Sequence, residues 1–440
     1  MAQHGRAPRP TWLTSDRPLA RYVARPVTRF LHIEASGGLL LLVATACALV
    51  WANSPWSASY ETVWSTHLTF ELGSLHLEET LGHWVNDGLM ALFFFVVGLE
   101  IKGELVTGQL SDRRDAALPA VAAIGGMVVP ALIFTVVNLG GDTAGWGIPM
   151  ATDIAFAVGV LALLGDRVPP GLKVLLLGLA IVDDIGAIVV IAIFYTEQIA
   201  LGWLAGAAAG LVLVLVMKRA KVWYAPAYFL VGTVVWVCTL ESGIHATIAG
   251  VALGLLAPAR PLMPDLEADR LAGRLSADRD VTAEEVRSIS FELRESVSVA
   301  ERLEEALHPW TSYVVIPLFA LANAGIPLSL DSLGDAAASP ITLGVVVGLV
   351  VGKVVGVSAA TWLAVRFGLG RLPLGVTWRH VVGMSAIAGI GFTVSIFVAG
   401  LAYEEGSALQ DEAKVGVLAA SAIAACLGAV MLRRAGRAEP

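Results

Sequence analysis

Long apolar runs alternate with short polar connections along nearly the whole chain. Runs of the length a bilayer-crossing helix needs, about 17–25 residues, fall near 37–53, 84–103, 117–138, 146–164, 172–195, 201–217, 223–240, 244–257, 311–328, 341–365, 379–402 and 413–432. The pattern predicts an all-α polytopic membrane protein of about twelve transmembrane helices, the run at 244–257 being short. Two stretches depart from it. Trp64 to Glu79 alternates roughly around Gly73-Ser74, which fits a two-stranded hairpin or an irregular loop. Pro258 to Leu307 is rich in Arg, Asp and Glu, and from Ala283 onward Val286, Ile289, Leu293, Val297 and Leu303 recur at helical spacing. A cytoplasmic loop ending in an amphipathic helix is the expectation there.

Sidedness follows from where Lys and Arg lie in the connections. With the N-terminus cytoplasmic, the inner loops hold Arg113 and Arg114, Arg167, the cluster Lys218 to Lys221, Arg366 with Arg371, and Arg433 with Arg434. The outer loops, near 54–83, 139–145, 196–200, 241–243, 329–340 and 403–412, hold no Lys or Arg but carry Glu61, Glu78, Asp142, Glu197, Asp331 and Glu404. An even number of spans with both termini inside fits every loop. The expected organisation is a basic cytoplasmic segment 1–36, spans one to eight over 37–257 with an outer hairpin near 63–80, a charged cytoplasmic loop 258–308, spans nine to twelve over 309–432, and a cytoplasmic tail 433–440.

Composition sharpens this picture. The 440 residues are 56% hydrophobic and only 15% charged, against about 25% charged in a soluble protein. The 45 glycines suit closely packed membrane helices. Cys47, Cys238 and Cys426 all lie in apolar runs, where they read as small hydrophobes rather than a disulfide framework. Arg6, Arg9, Arg17, Arg21, Arg25 and Arg29 precede the first apolar run, which begins too late for a secretory signal; an uncleaved first span is expected. The net charge of −8 is distributed too unevenly to indicate a partner, and nothing points to nucleic acid.

Against this apolar background a few charges stand out. Asp183 and Asp184 lie side by side in the run Val174 to Tyr195, where each charge costs about 2.5–3.5 kcal/mol on insertion scales. Two neighbouring carboxylates out of water resist ionising together, so protons exchange there, and the same hard oxygens suit a small cation. Consecutive helical residues point about 100° apart, so one acid can line a water-filled cavity while the other reaches a neighbouring helix; the plainer reading is two carboxylates locked in helix–helix ion pairs. From Gly171 the pair lies roughly 18 Å into the span, near the midplane. Lys353, in Gly352-Lys353-Val354-Val355-Gly356, is a second mid-span charge. It either neutralises an aspartate or itself carries a transported proton.

Asp153 follows Pro149, Ala151 and Thr152. Proline favours a break, and a broken helix places partial charges inside the membrane that an acid can balance; a simple kink with a stray acid is the alternative. The run Ala388-Gly389-Ile390-Gly391-Phe392-Thr393 could interrupt a later span or serve close packing. Near the cytoplasmic helix ends lie Glu100, Lys102 and Glu104, and Glu301, Glu304, Glu305 and His308. These are either interfacial anchors or a pH-responsive gate, since histidine as a residue type titrates in the physiological range.

These motifs resemble the NhaA-type sodium/proton antiporters along nearly the whole chain. The matching stretches are NDGLMALFFFVVGLEIKGEL from Asn86, ATDIAFAVGVLALLG from Ala151, LAIVDDIGAIVVIAIFY from Leu179, HATIAGVALG from His245, LHPWTSYVVIPLFALANAG from Leu307, the Gly-Lys of Lys353, and GIGFTVSIFVAG from Gly389. NhaA is itself a type case of inverted-topology repeats with two interrupted, crossing helices, so that architecture is what the resemblance implies. It implies further that Asp184 and Asp183 bind the ion and protons, Asp183 being the partner of Lys353. Thr152 and Asp153 would lie beside the site at the helix crossing, with the GIGFT segment as the other crossing chain. Glu100, Glu104, Glu304 and His308 would form a cytoplasmic pH-response region, and the outer hairpin would mediate a homodimer. An Asp-Asp pair implies electrogenic exchange of two protons for one Na+ or Li+, in a bacterial cytoplasmic membrane, with no cofactor. Two features depart from the family: Glu305 stands where well-known members have histidine (LEEALHPW here, LEHxLHPW there), and the segment after Pro258 is longer.

Secondary transport by alternating access, Na+ out and H+ in, is therefore the expectation, with proton- or sodium-coupled transport of a small organic solute as the alternative. An intramembrane aspartyl protease needs its acids facing each other from two helices, whereas adjacent acids on one helix point apart. A retinal-type pump built on Lys353 would need fewer spans.

Overall fold

Backbone groups in hydrocarbon must satisfy one another, so apolar runs of spanning length become helices. They do so in the computed structural model, which describes residues 36–72, 75–196, 199–222, 224–261 and 296–436. Helix α1 (Ser36–Ala52) bends by 115° into α2 (Ser57–Trp64). Strands β1 (His67–Leu72) and β2 (Leu75–Thr80) pair antiparallel, with Leu68 opposite Glu79 and Phe70 opposite Leu77. The alternating stretch is thus a hairpin, not an irregular loop. A π-helical turn, Trp84–Leu89, leads into α3 (Met90–Val106), and the Trp84 indole donates to the Leu68 carbonyl at 3.2 Å, tying the hairpin to that turn.

Then come α4 (Arg113–Val137), a 3-10 segment (Ala144–Met150), α5 (Ile154–Leu164), α6 (Pro170–Phe194), α7 (Leu201–Arg219), α8 (Ala225–Glu241) and α9 (Thr247–Leu256). Beyond the charged loop lie α10 (Val299–Trp310), α11 (Ile316–Asn323), α12 (Leu330–Ala338), α13 (Pro340–Val347), α14 (Lys353–Arg366), α15 (Trp378–Ile387), α16 (Phe392–Ala402) and α17 (Ala408–Ala435).

Among the described residues, six helical stretches are long and apolar enough to cross a membrane, or eight if two bent pairs each count as one. The other runs expected to span form shorter helices, such as the 10-residue α9 and the 8-residue α11.

The amphipathic helix expected over 283–307 is corrected in its described part, residues 262–295 lying outside it. Residues 296–298 are not helical. Ser298 is extended and its hydroxyl accepts from the Glu301 N–H at 3.2 Å, so a new helix starts at Val299. The signal was present in Ser298-Val299-Ala300-Glu301, the S-x-x-E pattern of a helix start.

Small residues set the tightest packing. A Cβ on Gly356 of α14 would lie 2.2 Å from the Gly125 carbonyl of α4, and one on Gly125 would lie 2.4 Å from that of Gly356, so the two backbones touch. This clamp carries α14 against α4 and fixes where Lys353 emerges. A π-helical turn, Gly348–Gly352, immediately precedes that lysine; such turns insert an extra residue and re-aim the side chains of the next helical turn.

Candidate ion-binding site

Two helices break where the site forms. Pro149 cannot donate a backbone bond and disfavours helix in the residue before it. The chain runs as a 3-10 segment to Met150, then extended through Ala151 to Asp153, and restarts as α5. Opposite it, α15 stops at Ile387 and α16 restarts at Phe392, with a 47° bend between them. The two gaps face each other, and the Asp153 N–H donates to the Ile390 carbonyl at 2.6 Å. Glycine permits the close packing here: a Cβ on Gly391 would sit 3.1 Å from the Ala151 carbonyl in the facing gap, and one on Gly389 would sit 2.3 Å from the Leu349 carbonyl of the turn before Lys353. The glycine run therefore both interrupts the helix and packs closely.

Each broken end leaves orphan backbone groups, and side chains at the crossing take them up. Asp153 Oδ1 accepts from the Phe156 N–H at 2.9 Å, capping α5. Its Oδ2 accepts from the Thr393 N–H at 3.1 Å and the Thr393 hydroxyl at 2.7 Å, capping α16. Thr152 donates its hydroxyl to the Ala388 carbonyl at 2.8 Å. Asp153 is therefore no stray acid beside a kink; both its oxygens are engaged in holding helix ends.

Lys353 and Asp183 are fully buried and form an ion pair at 2.7 Å. The same Nζ donates to Thr152 Oγ1 at 3.0 Å and to the Met150 carbonyl, so all three ammonium protons have acceptors. Asp183 Oδ1 is buried without a well-aligned donor among the described residues, with Thr152 in electrostatic reach. Asp184, 5% exposed, receives no hydrogen bond from any described residue. Its electrostatic neighbours are Asp183, Glu100, Asp153 and Lys353. Buried acceptors without donors call for a proton or a cation. Two adjacent residues thus have separate surroundings, as the 100° step on one helix requires.

The structure joins Asp183, Lys353, Thr152 and Asp153 into one network, with Asp184 alongside. The carboxylates Glu104 on α3 and Glu304 on α10 gather near the end of α3 remote from the hairpin, and Glu100 lies within electrostatic reach of both these and Asp184. Burial raises Glu304 above the ordinary carboxylate range, and the charges of Glu301 and Glu104 add to the effect. His308 and Glu305 are exposed on α10. Among the described residues no group of three His, Cys, Asp or Glu side chains is arranged to hold a resident metal.

The family profile described as Na+/H+ antiporter 1 matches residues 28–432. This chain belongs to that family. It is 48% identical to the Na(+)/H(+) antiporter NhaA 3 of Frankia alni, over 95% of this chain and 90% of that protein. It is 48% identical to NhaA 2 of Sorangium cellulosum, over 98% and 94%, and 49% identical to NhaA of Rhodopirellula baltica, over 94% and 95%. Membership makes the chain a multi-pass membrane protein and a secondary transporter rather than an enzyme.

Sequence reasoning missed several groups. The Met150 carbonyl became a lysine ligand only once the helix broke. Asn86 and Asn323 form a reciprocal amide pair, with Asn323 Nδ2 donating to Asn86 Oδ1 at 2.8 Å. Amides inside apolar runs were the signal for that pair. Ser395 and Ser421 also reach the crossing, but serines are too common in membrane helices to have been singled out.

Proposed function

We propose that this chain exchanges Na+ or Li+ for protons, electrogenically, with two protons for one cation, by alternating access. The observation that carries the reading is the Asp183–Asp184 pair: Asp183 Oδ1 and the Asp184 carboxylate have no well-aligned donor among the described residues, beside a lysine whose own protons are all engaged. A small cation and protons compete for those oxygens. A cation approaching Asp184 takes the place of its proton, and drawing in Asp183 loosens that acid from Lys353, whose freed ammonium gives up the second proton. Protons return from the other side once the cation leaves. Thr152 and Asp153 hold the crossing around the acids, with the Thr152 backbone carbonyl available to a dehydrated ion.

On this reading, both termini lie in the cytoplasm of a bacterial cell, the shorter helices complete about twelve spans in inverted repeats, and Na+ leaves as H+ enters. The hairpin joins two copies into a homodimer. Glu100, Glu104, Glu304 and His308 sense cytoplasmic pH, with Glu100 in reach of both that cluster and Asp184 supporting the link. Proton flux in vesicles against Na+, Li+ and K+ across pH, with and without a clamped membrane voltage, tests the reading. Na+- and Li+-driven flux that carries current is the expected result. Flux that ignores both cations would reject it.

A further inference from the structure

Hydroxyls in the helices bond either within their own helix or to another segment. Thr45, Thr135, Thr239, Thr361 and Ser385 each donate to the carbonyl four residues earlier in their own helix, the default for such residues. Thr152, Thr393, Ser395 and Ser421 instead reach across to another segment at the crossing, whereas Ser36, Thr342 and Ser358 bond to other segments elsewhere. Ser395 donates to the Ile148 carbonyl at 2.8 Å, and Ser421 Oγ accepts from the Phe392 N–H at 3.2 Å. Ser421 is 2% exposed and sits on α17, outside the two broken helices.

We propose that Ser421 is a positioning residue for the cation site, capping the buried start of α16 from the last helix. The start of α16 has no cap of its own, since Gly391 offers no side chain. Two of its orphan N–H groups are taken from different directions: Thr393 by Asp153, and Phe392 by Ser421. Without Ser421 the Phe392 N–H is left buried and unpaired. The α16 terminus then re-settles toward the carboxylate of Asp153, the acceptor already at that helix end. Movement of Asp153 passes to its neighbour Thr152, which touches Lys353, which holds Asp183. Ser421 thus acts on the acids through a continuous chain of contacts, without touching them.

The inference rests on the exchange reading, and the test separates the two. Ser421→Ala, Ser421→Thr and Thr361→Ala are compared for Na+-driven proton flux and for amide hydrogen exchange at Phe392. Thr361 is the control, a buried hydroxyl bonded only within its own helix. Ser421→Ala is expected to raise the Na+ KM about three- to tenfold with maximal rate little changed, and to speed exchange at Phe392. Ser421→Thr should restore both, and Thr361→Ala should leave the KM alone. If the alanine variant does not fold, Ser421→Cys, with its weak sulfur acceptor, carries the same expectation at smaller size. An unmoved KM and an unmoved Phe392 amide overturn the role of Ser421 while leaving exchange standing. Absence of Na+-driven flux in the unaltered protein overturns the transport reading instead, and the amide then still decides whether Ser421 caps α16.

Discussion

Carboxylates gather in two regions of this molecule, at the helix crossing and near the end of α3 remote from the hairpin, and their surroundings are opposite. At the crossing, each acid has a distinct fate. Asp153 accepts three hydrogen bonds and holds two helix ends, Asp183 is half-engaged by Lys353, and Asp184 has no donor among the described residues. In the second region Glu304 is half-buried among like charges, and neither it nor Glu100 forms an ion pair with a described residue. On the proposed reading, the first arrangement distinguishes proton, cation and ammonium. The second crowds like charges together, which with burial raises Glu304 above the ordinary carboxylate range. On that reading, one chemical group serves as ligand in one place, beside a lysine and two helix ends, and as sensor in the other, among like charges.

The largest expected effect is at the crossing. Asp184→Asn keeps the shape but removes the exchangeable proton, and should abolish Na+-driven proton movement while the protein stays folded; retained exchange would remove this acid from the mechanism. Next is stability. Lys353→Ala leaves Asp183 buried without its counter-charge, a loss of about 3–5 kcal/mol for a broken buried pair, read as a lower thermal midpoint. An unchanged midpoint would argue that the pair does not hold α14 to α6.

The remote cluster should respond by shifting rather than failing. Negative neighbours, Glu104 among them, add to the rise that burial gives Glu304, so Glu104→Gln lets Glu304 ionise at lower pH. The pH–activity profile should then move acid-ward by about half a pH unit, with maximal rate kept. A profile that stays in place would detach Glu304 from regulation. The smallest effect is expected for Glu305→His, because Glu305 is exposed and its field is screened by solvent. A small shift of the same profile supports a sensor, and none returns that position to an interfacial anchor.

What the chain disclosed in advance depended on the range of the interaction. The runs that became α4, α6 and α17 were plain because apolar patterning is local. So was the break after Pro149, since proline acts on its own backbone. Asp183 and Asp184 were conspicuous because ionisable groups rarely sit in apolar runs. The partner of Lys353 is 170 residues away, and only the family resemblance suggested it. Its bond to the Met150 carbonyl was invisible, because every residue has a carbonyl and only a broken helix frees one. The role of Asp153 was half legible: proline announced the break, but nothing local told which donors the carboxylate would meet across the gap. Ser421 was hidden for the same reason. Ser298 was legible and overlooked, masked by apolar residues that continue the helical spacing on either side of it.

The central claim is that a cation and protons are rivals for the acids at the crossing, and calorimetry of Na+ association at a series of pH values tests it most directly. The account predicts that Na+ binding releases protons and that affinity falls as pH drops, by about tenfold per pH unit for each proton displaced. Sodium that associates equally well at every pH, with no protons released, would contradict it.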